Sequence, residues 1–322
     1  MNLKVNKIHL NGGMNMVEPE EYSYEEFPES STVTRGMNVI EFEGDIASVV
    51  CKRYVNYVER DGKQLKLQFL MPYYTVEHME KLPCVVFVQG SGWIKQKLYL
   101  NIGNLSKLAD KGYIIAIVQY RSAEDAPFPA QVQDIKTAIR FLRQNASEYK
   151  IDPNNIFLWG DSSGVHVSLI TGITSGVTEL DTEDYSDYSD KVNGIVDFYG
   201  PTDITKMNDA PTTADYTVAD SPVGILIGKL DVTKHEDKAQ KANVLNYITK
   251  GRDIPPIIIF HGSKDRIVPF EQSAMLHEKL LAEHKESTIY KIMGQDHCGP
   301  GFWQDEVIDL IDDFFEKHMK RI

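Results

Sequence analysis

The sequence predicts an α/β fold built on a mostly parallel central sheet, and three observations predict it. From Pro83 onward, short runs that are apolar throughout alternate with segments whose apolar residues recur at helical spacing. One strand-to-helix junction reads Gly160-Asp161-Ser162-Ser163-Gly164, a G-x-S-x-G turn with Ser162 at its apex. The chain has 322 residues, 42% of them hydrophobic, enough to bury a sizeable core as one domain with appendages.

Taken in order, residues 1–43 read as an acidic, turn-rich arm, partly ordered, with Gly12-Gly13, Pro19, Pro28 and Ser30-Ser31 and no sustained periodicity. The catalytic domain is expected over 44–322. It opens with β-rich runs at 49–58 and 65–70, joined across Arg60-Asp61-Gly62-Lys63, where Asp-Gly signals a hairpin of antiparallel edge strands. Strands follow at 84–88, 113–118, 156–159, 195–198, 257–260 and 288–292, and continuous apolar runs of this kind suit a sheet covered on both faces. Helices are expected at 101–110, 129–147, 163–175, 270–284 and 304–318. Val132, Ile135, Ile139 and Leu142 form the stripe of the second, and Val307, Ile308, Ile311, Phe314 and Phe315 that of the last. Residues 178–190, rich in Asp, Glu, Ser and Tyr, read as a solvated surface loop. Residues 203–252, with an apolar run at 224–230 and a charged helix at 231–241, read as a lid insertion over the carboxyl ends of the strands.

Composition narrows the partners. A formal net charge of −13 argues against nucleic acid and anionic membrane, both of which reward Lys and Arg. No apolar run is long enough to span a bilayer, and residues 1–10 lack the apolar core and cleavage site of a secretory signal. Cys51, Cys84 and Cys298 are too few and scattered for a disulfide framework or a metal cluster. The expected setting is the cytoplasm, although a secreted mature form would read the same way.

The chemistry gathers at three expected loops. A serine hydroxyl needs a base within hydrogen-bond reach and a third group to hold that base in the right tautomer. Ser162 is the candidate nucleophile, His297 the base and Asp265 the orienting acid. Asp265 and His297 each lie just past a buried strand, so that all three meet at one sheet edge. Asp296 is the weaker acid, because adjacent side chains rarely aim at one point. His261 reads as a satisfied near-core residue and His166 as a structural hydrogen-bonding partner. The small-residue turn Gln89-Gly90-Ser91-Gly92-Trp93 can cradle a developing oxyanion through the Ser91 and Gly92 amides, together with the Ser163 amide. Trp93, Gln89 and Asp161, which flank these turns, are candidate substrate contacts. No metal or organic cofactor is implied.

With these residues placed, the chain from about Pro83 to its end resembles the α/β-hydrolase superfamily, and within it the hormone-sensitive-lipase-like and acetyl-xylan/feruloyl-esterase-like carboxylesterases. The resemblance rests on the elbow, on the H-G-x-x-D-x-x-V-P segment from His261, and on Tyr120-Arg121 followed by 126–130. The segment from Val196 to Asp203 and Gly294-x-x-His297 add to it. It implies a Ser-Asp-His esterase acting through an acyl-enzyme on small acyl or hydroxycinnamoyl esters, free or borne on an oligosaccharide. An arylformamidase or peptidase-like amidase, and a ligand-binding protein that keeps the fold without catalysis, are the rivals. Oligomeric state is left open, a homo-oligomer included.

Three departures from the family pattern carry expectations. Ser91 replaces a glycine of H-G-G-G-W and should stand where the backbone prefers φ > 0. Val165 replaces the second glycine of G-[DE]-S-A-G-G-H and should crowd the start of the helix. Cys298, in place of glycine, sets a thiol beside the base.

Overall fold

The computed structural model describes residues 19–23, 25–41, 48–73 and 80–320. Contacts divide the chain after Gly44. Within the first unit, residues 19–23 and 25–41 are exposed and form turns without helix or strand; the rest of the expected arm lies outside the described residues.

The second unit is built on eight strands: β1 (Ser48–Arg60), β2 (Lys63–Tyr73), β3 (Leu82–Val88), β4 (Ile114–Val118), β5 (Ile151–Asp161), β6 (Ile195–Phe198), β7 (Ile257–Gly262) and β8 (Ser287–Ile292). They lie in the order β1-β2-β4-β3-β5-β6-β7-β8. β1 and β2 form the expected hairpin, with Asp61 and Gly62 both at positive φ (49° and 74°), as a tight two-residue turn requires. β2 also pairs antiparallel with β4, so of the two only β1 is an edge strand. The remaining neighbours are parallel.

Alternation along β3 shows why its sequence is apolar throughout. Cys84, Val86 and Val88 enter the core on one face, Val85 and Phe87 the core on the other. α1 (Ile102–Asp110) and α7 (Asp305–His318) cover one face, with Leu105, Leu108, Val307, Ile308, Ile311 and Phe315 packed on the aromatic residues of β5, β6 and β7. α2 (Ala130–Gln144), α3 (Ser163–Ile173) and α6 (Glu271–Ala282) cover the other.

Two readings of the connecting segments change. Residues 178–190 are not a simply solvated loop, because their charges are anchored from beneath. Asp190 is buried against the fully buried Lys136 of α2 at 2.7 Å, Asp181 pairs with Arg140, and Asp184 accepts from Arg60 at 2.5 Å. Acidic composition signalled solvent, but α2 presents cations that draw it in. In the insertion after β6, the expected charged helix is broken. A 3₁₀ turn (Val232–Lys234) and α5 (Glu236–Lys241) meet at His235, whose φ of −132° and ψ of 45° are not helical. With α4 (Pro222–Leu226), this insertion places Val223, Leu226, Val232, Ala239, Ala242 and Val244 in the core. No helix among the described residues is long and apolar enough to cross a membrane.

The register fixes where the loops emerge. Val88 pairs with Gly160, Asp161 with Phe198, Phe198 with Phe260, and Gly262 with Ile292. The carboxyl ends of β3, β5, β6, β7 and β8 therefore share one edge.

Candidate active site

At that edge Ser162 joins β5 to α3 with φ 50° and ψ −129°, a conformation that L residues rarely adopt. The neighbours leave no alternative path. A Cβ on Gly164 would lie 2.0 Å from the Val88 carbonyl oxygen, and one on Gly90 would lie 2.5 Å from the Asp161 carbonyl oxygen. The elbow is sharp because two turns pass within backbone contact of each other.

The structure brings Ser162, Asp265 and His297 together. His297 Nε2 lies 2.9 Å from Ser162 Oγ, and His297 Nδ1 lies 2.7 Å from Asp265 Oδ2. The other carboxylate oxygen of Asp265 accepts from the amides of Ile267 and Val268, each at 2.9 Å. Burial opposes the Asp265 charge, but bonds from His261 and His297 outweigh it and hold the carboxyl well below the usual range. Burial likewise opposes a charge on His297, and its bond to Asp265, with the Cys298 side chain beside it, outweighs that and raises the imidazole above its ordinary value. Asp296 serves the backbone instead: it pairs with Arg266 and accepts from the amides of Arg266 and His297.

Two residues of this arrangement escaped the sequence reading. His261 is more than a near-core residue: its Nε2 lies 3.3 Å from Asp265 Oδ2, besides its bonds to the Val268 carbonyl and Ser273. The four-residue spacing in His261-Gly262-Ser263-Lys264-Asp265 was the available signal. Tyr199, at φ 46°, packs its buried ring on His297 with centroids 4.6 Å apart. Its place directly after the apolar run of β6, at the shared edge, could have marked it.

The expected cradle is rearranged. Positive φ falls on Gly92 and Trp93 (64° and 59°) rather than on Ser91, so the step that favours glycine is taken by a glycine. The Ser91 amide does not stand free for an oxyanion: it donates to the Ser163 hydroxyl at 2.9 Å. The Gly92 amide donates to no group among the described residues. The Ser163 amide opens α3, where an N–H has no helical acceptor and the helix dipole is positive.

Of the expected substrate contacts, Trp93 and Asp161 both line the cavity. The Trp93 indole N–H donates to His166 Nδ1 at 3.1 Å. His166 must then carry its proton on Nε2, which lies 2.7 Å from the Ala242 carbonyl, and burial pulls its pKa down to about 4. The Asp161 carboxylate is committed elsewhere, accepting from the Gly90 amide at 2.5 Å and Asn101 Nδ2 at 3.3 Å, because a buried carboxylate collects donors. Gln89 is buried and lies outside the cavity wall; its carbonyl accepts from the Tyr120 hydroxyl at 3.1 Å.

Ser162 and His297 open into a cavity of about 270 Å³. The insertion contributes Met207, Tyr216 and Pro222 to its wall, facing Ile267, Val268 and Cys298. The Tyr216 hydroxyl donates to the Ile267 carbonyl at 2.9 Å, tying the insertion to the Asp265 loop. Sequence reasoning did not name Met207 or Tyr216, since their roles depend on where the insertion lands. Among the described residues no group of three or more His, Cys, Asp or Glu side chains is arranged to hold a metal ion.

Comparison with known proteins fits this geometry. A family model described as BD-FAE matches residues 71–280. The chain is 27% identical over 217 residues to Esterase LipC of Mycobacterium tuberculosis, covering 67% of this chain and 52% of that protein. It is also 27% identical over 237 residues to the isoprenylcysteine alpha-carbonyl methylesterase ICME of Arabidopsis thaliana, covering 73% and 54%. It spans about half the length of these curated relatives. Among solved structures it superposes on a truncated carbohydrate esterase from gut microbiota with a TM-score of 0.71 at 29% identity, covering 85% of this chain and 97% of that one. A bifunctional GH43-CE protein of Bacteroides eggerthii gives a TM-score of 0.72 at 30% identity, covering 83% and 38%.

Proposed function

The chain belongs to the BD-FAE family and has the α/β-hydrolase fold, and from that premise we propose that it is a serine carboxylesterase working through an acyl-enzyme. The observation that carries the proposal is the unbroken series of hydrogen bonds from Ser162 through His297 to Asp265 at the mouth of a cavity. His297 takes the Ser162 proton as the oxygen attacks the ester carbonyl, and the oxyanion of the tetrahedral intermediate rests on the Gly92 and Ser163 amides. When the C–O bond breaks, His297 returns the proton to the leaving alcohol. Water then attacks the acyl-enzyme through the same base and frees the acid and Ser162.

The substrates proposed are small acyl or hydroxycinnamoyl esters, and the alcohol a sugar or small oligosaccharide. A structural neighbour described as a carbohydrate esterase supports the alcohol. The apolar wall formed by Met207, Tyr216, Ile267 and Val268 supports a short or planar acyl group.

A panel of chromogenic esters from acetyl through octanoyl, with feruloyl and a matched anilide, tests the reading on wild type and Ser162→Ala. The reading expects ester hydrolysis that falls about 10³-fold or more in the variant, with the anilide much slower. Equal rates in both proteins would overturn it, and a preferred anilide would turn it toward amide hydrolysis.

A further inference from the structure

Ser163 offers the site two groups, an amide and a hydroxyl, and the mechanism above uses only the amide. The residue is 2% exposed. Its hydroxyl oxygen accepts from the Ser91 amide at 2.9 Å and from the Trp93 amide at 3.1 Å. Those two donors flank Gly92. One oxygen that grips the turn on both sides limits rotation of the peptide between them, and that peptide carries the Gly92 N–H. The grip works against backbone strain, since Gly92 and Trp93 sit at φ 64° and 59° and Trp93 carries a Cβ.

Tyr120 lies beside this grip. The Tyr120 hydroxyl is buried against the Ser163 and Ser91 side chains, 3.3 Å from Ser91 Oγ, and donates to the Gln89 carbonyl at 3.1 Å. Tyr120 thus braces the same turn, between Ser91 Oγ and the residue that follows β3. The Ser163 hydroxyl, accepting twice, has both of its lone pairs committed to this turn.

We infer that the Ser163 side chain is a positioning residue, whose hydroxyl fixes the oxyanion turn so that the Gly92 amide meets the negative oxygen. This rests on the reading of Ser162 as nucleophile. The oxyanion exists only in the tetrahedral state, so a turn that loses its alignment gives up transition-state stabilisation and leaves substrate binding in place. Ser163→Ala removes the oxygen, keeps the amide, and releases the Ser91 and Trp93 N–H groups.

The test compares wild type, Ser162→Ala, Ser163→Ala, Ser163→Thr and Tyr120→Phe on p-nitrophenyl acetate, and measures inhibition by a trifluoromethyl ketone that adds to serine as a tetrahedral adduct. Ser163→Ala should lower kcat about 10- to 100-fold, change KM less than about threefold, and weaken the inhibitor by the factor lost in kcat/KM. Ser163→Thr, which keeps the hydroxyl, should recover most of kcat. Tyr120→Phe should show a smaller loss of the same kind, and it carries the test if Ser163→Ala does not fold. A kcat within about twofold of wild type in Ser163→Ala, or in Tyr120→Phe where Ser163→Ala does not fold, or a loss confined to KM, overturns the inference. If Ser162→Ala is as active as wild type, the nucleophile reading fails first and takes this inference with it.

Discussion

Val165 fills the volume that a side chain on Gly200 would need: a Cβ there would come within 2.2 Å of Val165 Cγ1. The valine expected to crowd the helix start is accommodated from across the sheet edge, by a glycine in the loop after β6. The two positions should therefore be coupled in stability. Gly200→Ala should destabilise by about 1–3 kcal/mol through overpacking, and much less once Val165→Ala has cleared the space. Urea unfolding of both single variants and the double variant measures the coupling. Strictly additive losses would show that Val165 and Gly200 do not share this volume.

The imidazole of His297 is held above its ordinary value, and a general base must be neutral to accept a proton. Activity should then rise with pH, with the acid limb of kcat/KM centred above about 6.5. Asp265→Asn removes the carboxylate that favours imidazolium, so its limb should move to lower pH while kcat falls by about 10³- to 10⁴-fold. Cys298→Ala should shift the limb in the same direction and keep most of the rate, since Cys298 also favours the charged imidazole. Pre-steady-state or steady-state rates between pH 5 and 10 decide it. A wild-type limb at or below about 6.5, or one that Asp265→Asn leaves unmoved, would contradict this electrostatic picture.

Much of this site could be read from the chain because its parts are local. Each turn follows an apolar strand, and parallel strands deliver their following loops to one edge whatever the surface does. What escaped reading depends on distant partners. The insertion's Met207 and Tyr216 became cavity wall only through the fold of residues 203–252. His261 reached Asp265 because the loop after β7 turns back on its own strand. Ser91 stayed out of the left-handed region because Gly92 takes the turn one residue later. The acidic run at 178–190 misled because its partners lie on α2 and β1, 41, 54 and 124 residues earlier.

The ion pair of Lys136 with Asp190 is buried on both sides, and breaking it from one side should be costly. Lys136→Met leaves the carboxylate with Ser175 Oγ and the Gly176 amide as hydrogen-bond donors and the Arg140 guanidinium 3.9 Å away, and should cost about 3 kcal/mol. Lys136→Met combined with Asp190→Leu should recover part of that loss. Burial opposes the Asp190 charge, but Lys136 outweighs it and holds the carboxyl below its usual value. Its contribution is therefore present above about pH 4 and lost as pH falls through the depressed value. Urea midpoints at pH 7 test the first claim, and a loss below about 1 kcal/mol would show that solvent or backbone compensates the charge.

His166 supplies the clearest dependence of stability on pH. It is fully buried between the Trp93 indole and the Ala242 carbonyl, and its pKa of about 4 lies below the unfolded value of about 6.5. Between those values the unfolded chain binds a proton that the native state refuses, so stability falls as pH falls across that window. The loss should approach about 3 kcal/mol at its lower end. His297 works in the opposite sense. Its native value is raised, so its contribution is complete below about 6.5 and is lost only as pH rises through the native value. Asp197 opposes His166 across the same window: burial raises its carboxyl to about 6, so it adds stability as pH falls, and only the difference between wild type and a His166 variant isolates the imidazole. His166→Gln cannot titrate; it should begin less stable than wild type at pH 7.5 and lose less on acidification. Urea midpoints for both proteins at several pH values across the window give the comparison. Parallel slopes would mean that protonation of His166 does not govern acid stability, and that Trp93 and Ala242 are held together by packing alone.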